Sequence, residues 1–341
     1  MEVDMPMDFN AWSVPLPAAM HTASGKPRRI GVELEMIGLS VSEVSRMVAS
    51  HLNGKVREDT PYEHFITGDD AGEWGVELDY AYLKELGREQ PADVEMLAVL
   101  NEVAEGVLRA GAEAIVPVEI VSPPLPIQRL ADIQALIARL RSAGAKGSGA
   151  GVTYAFGMQF NPELPDLEAA TISGYLKAFF CLYDWLAARS KVDLTRRLTG
   201  FSAAFPESYV RKVVDPEYWP DQAQLIDDYL SDNPSRNRAL DMLPLFMHLD
   251  EKRLRAVVDD PRVKPRPTLH YRLPNCEIHR KDWGIHLAWG DWLVVESLAA
   301  DRDRLNNLCS AYAAWLDKPL SRLFDNWADE VAAMPGVSSG T

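Results

Sequence analysis

Two stretches of the chain, GVELEM at 31–36 and GVELDY at 75–80, each place two acids one residue apart between apolar residues. Successive side chains of a β-strand point to opposite faces. Glu33 and Glu35 therefore share one face while Val32, Leu34 and Met36 share the other, and Glu77 and Asp79 oppose Val76, Leu78 and Tyr80. VPVEIVSP repeats the pattern with Glu119 set against Val118 and Ile120. Each strand demands a core on one side and like charge on the other. Side chains two apart on a strand are about 6.5–7 Å apart, and two carboxylates at that distance repel by roughly 2.4 kcal/mol at an effective dielectric near 20. On a solvated face this costs little. In a cleft it calls for a counter-ion, and converging carboxylate oxygens suit a hard cation such as Mg²⁺ or Mn²⁺. Both readings fit the three strands taken alone.

Two later strands carry complementary groups. In FGMQFNP, Phe156, Met158 and Phe160 share a face, which leaves Gly157, Gln159 and Asn161 on the other. In LHYRLP, His270 and Arg272 oppose Tyr271 and Leu273. The surrounding run RVKPRPTLHYRLPNCEIHRK is the densest basic segment, with Arg262, Lys264, Arg266, Arg272, Arg280 and Lys281, in a chain of formal net charge −15. Guanidinium forks suit phosphate or carboxylate oxygens, although surface ion pairs with the abundant acids explain the same residues. An acid cluster beside a basic cluster is what metal–nucleotide chemistry requires, since the cation bridges phosphates and the arginines neutralise charge during transfer. The glycine-rich GAKGSGAG lacks the G-K-[ST] order of a Walker loop and reads as a helix–strand connection. No H-E-x-x-H motif occurs.

The length, 341 residues with 47% apolar and 25% charged side chains, suits one large domain or two ordinary ones. The acidity argues against nucleic acid or an anionic membrane as partner. Cys181, Cys276 and Cys309 are widely separated and form no C-x-x-C pair, so buried reduced thiols are expected. The N-terminus has no signal-peptide pattern and no stretch is long and apolar enough to span a bilayer, so the cytoplasm is the expected compartment. Residues 1–27 read as an extended arm, 28–330 as one domain with a helical insert at about 165–258, and 331–341 as a flexible tail. Helical spacing marks 40–52, a segment from Pro91 to Gly111, 127–143, 166–190, 221–231, 235–258 and one long helix over about 289–317, with a further short helix near the C-terminus. Short strands are expected at GKVRED and HFITG. Strands in several groups with intervening helices make the fold class mixed α+β.

The segments GKPRRIGVELEM, VELDY, VPVEIVSPPLP, YAFGMQFNPELP, VDLTRRL, LIDDYLSDNPSRNRALDMLPLF, KPRPTLHYRLPN and WGDWLVVESLA together resemble the putative amidoligase family, over about residues 14–312. This family belongs to the carboxylate–amine ligases built on the glutamine synthetase catalytic fold, alongside glutamate–cysteine ligases. The resemblance implies a curved, mainly antiparallel sheet with the site on its concave face and helices on the convex side. It implies ATP and Mg²⁺ or Mn²⁺ as cofactors and a small-molecule or peptide carboxylate and an amine as substrates. A separate glutamine amidotransferase is a further implied partner. By motif, Glu33 and Glu35 become metal ligands. Glu77 and Glu119 become further ligands or contacts to the amine or carboxylate, with Asp79 beside them. Arg272 becomes the phosphate contact, and Lys264, Arg266, Gln159, Asn161 and His270 become nucleotide-site residues. Arg236 and Arg238 either support the cleft or pair and cap locally. The resemblance implies histidine at the position of Gln159; glutamine keeps a coordinating carbonyl but cannot ionise.

The implied mechanism activates the carboxylate as an acyl phosphate, which the amine then displaces. A small-molecule kinase of guanidino type on the same fold and an ATP-binding regulatory homologue are the alternatives, with a metal-dependent hydrolase behind them.

Overall fold

The computed structural model describes residues 12–79, 116–149, 156–190, 203–318, 326–335 and 337. Its centre is a sheet built from β1 (Arg29–Met36), β2 (Lys55–Thr60), β3 (Glu63–Thr67), β4 (Trp74–Leu78), β5 (Val118–Val121), β6 (Leu125–Pro126), β7 (Met158–Pro162), β8 (Leu240–Asp241) and β9 (His270–Tyr271). The order is β2-β3-β4-β5-β1-β7-β9-β8, with β6 paired to the start of β1, and every pairing between these strands is antiparallel. The expected mixed α+β class with a large antiparallel sheet is what the chain adopts.

The alternation sets the layers. Ile30, Val32, Leu34 and Met36 of β1, Trp74 and Val76 of β4, Val118 and Ile120 of β5, Met158 and Phe160 of β7 and Tyr271 of β9 are all essentially buried on one face. Helices cover that face. Helix α1 (Val41–Leu52) contacts β3 and β4, and α2 (Leu130–Ser142) buries Leu130, Ile133, Leu136, Ile137 and Leu140. Helix α3 (Ala169–Arg189) brings Phe179 to Tyr271 at 6.0 Å, and α8 (Ile285–Ala300) brings Trp292 to Tyr271 at 5.0 Å and Trp289 to Phe160 at 6.2 Å. The acids, by the period of two, lie on the other face.

The helical segments differ from the sequence reading in three places, one of them a helix at Glu207–Val214 that the spacing did not mark. The span 235–258 is not one helix. It holds β8, α6 (Leu243–Leu249) and α7 (Glu251–Arg255), after α4 (Glu207–Val214) and α5 (Gln222–Asp232). Pro244 sits in the first turn of α6, and Asp250, extended at φ −151° and ψ 80°, accepts the N–H of Arg253 to cap α7. Likewise 289–317 is two helices, α8 and α9 (Arg302–Leu316), because Asp301 leaves helical dihedrals and caps α9 through the N–H of Arg304. The C-terminal short helix is α10 (Trp327–Ala332). The helix expected over Pro91–Gly111, the facing of Tyr80, the start of the VTYAFG strand and VDLTRRL lie outside the described residues.

The three cysteines are free and buried, with Cys181 and Cys309 Sγ atoms 3.6 Å apart. Among the described residues no helix is long and apolar enough to cross a membrane. In GAKGSGAG, a Cβ on Gly147 would collide with the Cys276 carbonyl oxygen, so the chain passes where only glycine fits. Lys146 exchanges backbone hydrogen bonds with Ile37 just past β1. The described part of this loop is thus a helix–strand connection tied to the sheet.

One buried ion pair joins the helical layer to the start of β1. The Arg28 guanidinium, 1% exposed, donates to both carboxylate oxygens of Glu296 at 2.7 and 2.9 Å, to the Glu163 carbonyl at 2.6 and 2.9 Å and to the Ala19 carbonyl at 2.8 Å. Glu296 also accepts the indole N–H of Trp292 at 3.0 Å. Removing one partner strands a buried charge. Arg28→Ala is therefore expected to lower unfolding stability by about 3–5 kcal/mol in denaturant titration, and Arg28→Lys to recover little of it, because an ammonium cannot reproduce the fork.

Candidate active site

The antiparallel register places the acids with no freedom left. Glu63 of β3 pairs with Glu77 of β4, Glu77 with Glu119 of β5, and Glu119 with Glu35 of β1. Four glutamates on four adjacent strands thus form one transverse row on the face opposite the helices. Paired side chains on neighbouring antiparallel strands have Cβ atoms about 4.5–5.5 Å apart, closer than the two-residue spacing within a strand. At about 5 Å and an effective dielectric near 20, each neighbouring pair of charges would repel by roughly 3 kcal/mol.

The next row, one step toward the N-terminal end of β1, runs Phe65, Gly75, Val121, Glu33, Gln159. Arg272 continues it, because its N–H bonds the Ala239 carbonyl and Tyr271 pairs with Phe160. Beyond lie Gly31, Asn161, His270 and Asp241, the last two directly paired across β9 and β8. Acids dominate the β3–β1 side of this face, and basic and amide groups dominate the β7–β8 side.

Hydrogen bonds fix the first strand's acids. Glu35, 9% exposed, accepts the Gly157 N–H at 2.7 Å and the Gln159 amide at 2.9 Å. Glu33 accepts the Asn161 amide at 2.9 Å and lies 3.8 Å from Arg266 Nη1 and 3.9 Å from His270 Nε2. His270 Nε2 is 2.7 Å from the Gln159 carbonyl oxygen, and its Nδ1 is 3.5 Å from Asp241 Oδ2. The Gln159 orientation follows from its neighbours: the carboxylate of Glu35 needs a donor, so the amide nitrogen faces Glu35 and the oxygen faces His270, whose Nε2 then carries hydrogen. Arg272 donates to the Arg236 carbonyl at 2.7 Å.

The electrostatics grade across the face. Burial raises the Glu33 carboxyl, but His270, Arg266, the Asn161 amide and Arg272 together outweigh it and hold the group below its ordinary range. Burial and then Glu63, Asp79 and Glu33 push Glu77 up to about 7. Glu119 is driven well above the ordinary range by burial and by Glu33, Glu35, Asp79 and Glu77 around it. Among the described residues, burial and other carboxylates govern Glu119 and Glu77, a state that a cation would relieve.

The structure thus brings Glu33, Glu35, Glu77 and Glu119 onto one face with Gln159, Asn161, His270 and Arg272. Arg266 reaches the cluster by its side chain, whereas Lys264 is exposed. Arg238 is turned to local bonds with Asn233 and the carbonyls of Ala204 and Asp232. Two members of the cluster escaped the sequence reading. Glu63 sits in EHFIT, whose alternation against the buried His64 and Ile66 would have flagged it. Asp241, wholly buried, was hidden by the helical reading of 235–258. Among the described residues no three His, Cys, Asp or Glu side chains are drawn tightly enough to form a ready-made metal-ligand group. The donor set, all carboxylate oxygen on adjoining strands with two raised acids, fits a hard divalent cation in chemistry.

The profile of a family described as putative amidoligase enzyme matches residues 26–294 of the chain. No curated protein and no solved structure matches it significantly.

The raised acids make a pH prediction. A carboxyl with a folded pKa above its unfolded value binds more protons when folded, so its stabilising contribution is complete below pH about 4.5 and is lost as pH rises through about 7. In metal-free buffer, wild-type stability relative to Glu77→Gln is expected to fall by roughly 1–3 kcal/mol between pH 4.5 and 7.5. Millimolar Mg²⁺ or Mn²⁺ is expected to restore most of it. Parallel profiles for the two proteins across that range in metal-free buffer would contradict the raised carboxyl.

Proposed function

This chain belongs to the amidoligase family, and we propose that it joins a carboxylate to an amine at the expense of ATP, through an acyl phosphate. The observation that carries the reading is the face itself, four glutamates in register beside a cluster of arginines, histidine and amides.

The reaction makes two displacements. A carboxylate oxygen of the acid attacks the γ-phosphorus and the bond to the β–γ bridging oxygen breaks, releasing ADP. The amine nitrogen then attacks the acyl carbon, phosphate departs, and the nitrogen loses a proton. Glu33, Glu35 and Glu119, with Glu77 at the outer end, are the residues that would hold Mg²⁺ or Mn²⁺, which supplies neutralisation of the phosphate oxygens.

The remaining work falls to the chain. Gly157, Gln159 and Asn161 fix the oxygens of Glu35 and Glu33 so that these do not reorganise as charge moves. Arg266 and Arg272, with Lys264 at the rim, meet anionic oxygens. The carbonyl of Arg236 holds the Arg272 guanidinium from behind. Glu77, with a carboxyl near neutrality and away from the arginines, is placed to accept the amine proton. His270, hydrogen-bonded to Gln159, brings an imidazole to that amide from the neighbouring strand.

The test is purified protein with ATP, Mg²⁺ and a matrix of acids and amines, followed by ADP release and by mass spectrometry for the amide. Glu33→Gln and Glu35→Gln are expected to lower turnover at least 100-fold with unchanged melting behaviour, and Arg272→Lys by 10- to 100-fold. A stable phosphorylated product without amide would replace the ligase reading by a kinase. Full turnover in either glutamate variant would remove the site.

A further inference from the structure

The helical layer, on the other side of the sheet from the carboxylate rows, holds a cluster that the proposed reaction does not use. Cys181 on α3 and Cys309 on α9 are fully buried, with their Sγ atoms 3.6 Å apart. A disulfide has its sulfurs about 2.05 Å apart, so the pair stands roughly 1.5 Å short of a bond. Lys177 precedes Cys181 by one turn on the same side of α3. It too is fully buried. Its ammonium donates to the carbonyls of Val213 at 2.7 Å and Asp215 at 2.6 Å and lies 4.9 Å from the Trp219 ring.

These surroundings make the two thiols unlike. The hydrogen bond from Cys181, with the Lys177 ammonium, holds the Cys309 thiol below its ordinary range in spite of burial. Burial and the neighbouring Cys309 drive the Cys181 thiol well above that range. The thiolate is the nucleophilic form of cysteine, so Cys309 is the sulfur that attacks and Cys181 the one that waits.

A cavity of about 370 Å³ opens between the same two helices. Its walls include Tyr183 and Asp184 of α3 and Tyr312 and Trp315 of α9. Asp184 and Tyr312 stand three residues beyond Cys181 and Cys309, which is one helical turn. The cavity therefore begins one turn from the sulfurs. The short helix α10 closes the cluster from another side. Its Trp327 donates the indole N–H to the Cys181 carbonyl at 2.8 Å and stacks on Tyr312 with ring centres 4.9 Å apart. Release of this six-residue helix is a smaller event than global unfolding, and it uncovers the pair.

We propose that Cys181 and Cys309 form a reversible oxidation site, at which a small hydroperoxide converts the two thiols into a disulfide that staples α3 to α9. The deprotonated Cys309 sulfur attacks one peroxide oxygen. The O–O bond breaks, and the departing oxygen takes up a proton and leaves as water or an alcohol. Cys181 sulfur then attacks the sulfenic sulfur of Cys309, the S–O bond breaks, and the hydroxyl leaves as water with the Cys181 proton. The two thiols lose two electrons, and the peroxide gains them. A dithiol reductant reverses the change by exchange. The staple joins positions 128 residues apart in the chain, so it restricts the unfolded state strongly. It fastens the layer directly behind β9, because Phe179 of α3 packs on Tyr271. The inference is independent of the ligase reading.

The test treats the reduced, native full chain with hydrogen peroxide, blocks the remaining thiols in denaturant and maps the peptides by mass spectrometry. Wild type is expected to yield a linked Cys181–Cys309 peptide, lighter by two hydrogens than the separate thiols, which dithiothreitol removes. Linkage should run at least tenfold faster than oxidation of Cys276, which is equally buried. The oxidised protein is expected to melt about 3–7 °C higher than the reduced one. In Cys181→Ser, Cys309 should accumulate as a sulfenic acid that dimedone traps, whereas in Cys309→Ser the Cys181 thiol should stay reduced. Absence of the linked peptide from native wild type, linkage no faster than Cys276 oxidation, or a melting temperature that does not rise would overturn the site. Where a serine variant loses its native melting transition, the wild-type peptide map and melting shift decide.

Discussion

The register of β3, β4, β5 and β1 is the constraint on which the rest of this molecule depends. Antiparallel pairing leaves no choice about which residues meet, and here Glu63, Glu77, Glu119 and Glu35 meet in turn. Slipping any strand by one residue would bury its acids and expose its valines and leucines. The apolar face therefore enforces the acidic one. The burial of Val32, Leu34, Val76 and Ile120 holds four like charges at separations they would otherwise avoid.

The face resolves this repulsion unevenly. Glu33 and Glu35 on β1 are satisfied from β7 and β9, by amides, a backbone N–H, His270 and Arg266. Glu119 and Glu77 receive mostly the fields of other carboxylates and are raised for that reason. The result is a sheet surface whose anionic character is firm at its centre and conditional toward β3. Its raised carboxyls are ones that a divalent cation would relieve, which is why the ligase reading is proposed for this face.

Positions around the cluster are held from the opposite layer. Arg28 ties the entry of β1 to Glu296 on α8 and to the Glu163 carbonyl past β7. The same turn of chain then presents Arg29 and the Glu163 carboxylate to the other side. One buried arginine and its exposed neighbour thus couple the helical layer to the carboxylate face across the sheet edge.

Much of this was legible in the residues. Alternation with period two identified β1, β4 and β5, assigned Glu33, Glu35, Glu77 and Glu119 to faces, and paired Gln159 with Asn161 and His270 with Arg272, because side-chain direction in a strand is a local property. Helices 40–52 and 127–143 were readable for the same reason at period 3.6. The break at Asp301 and the short strand at Leu240–Asp241 were not, since a two-residue strand has no period and is stabilised by its partner, here Tyr271 and His270. What the sequence by itself determined is that several acidic strands exist and which way their acids point. Which acid stands beside which, that Glu63 joins the row, that Asp241 lies behind His270, and which carboxyls are raised or lowered, only the tertiary structure decided. Those properties are set by strand order and register, through neighbours tens to hundreds of residues away.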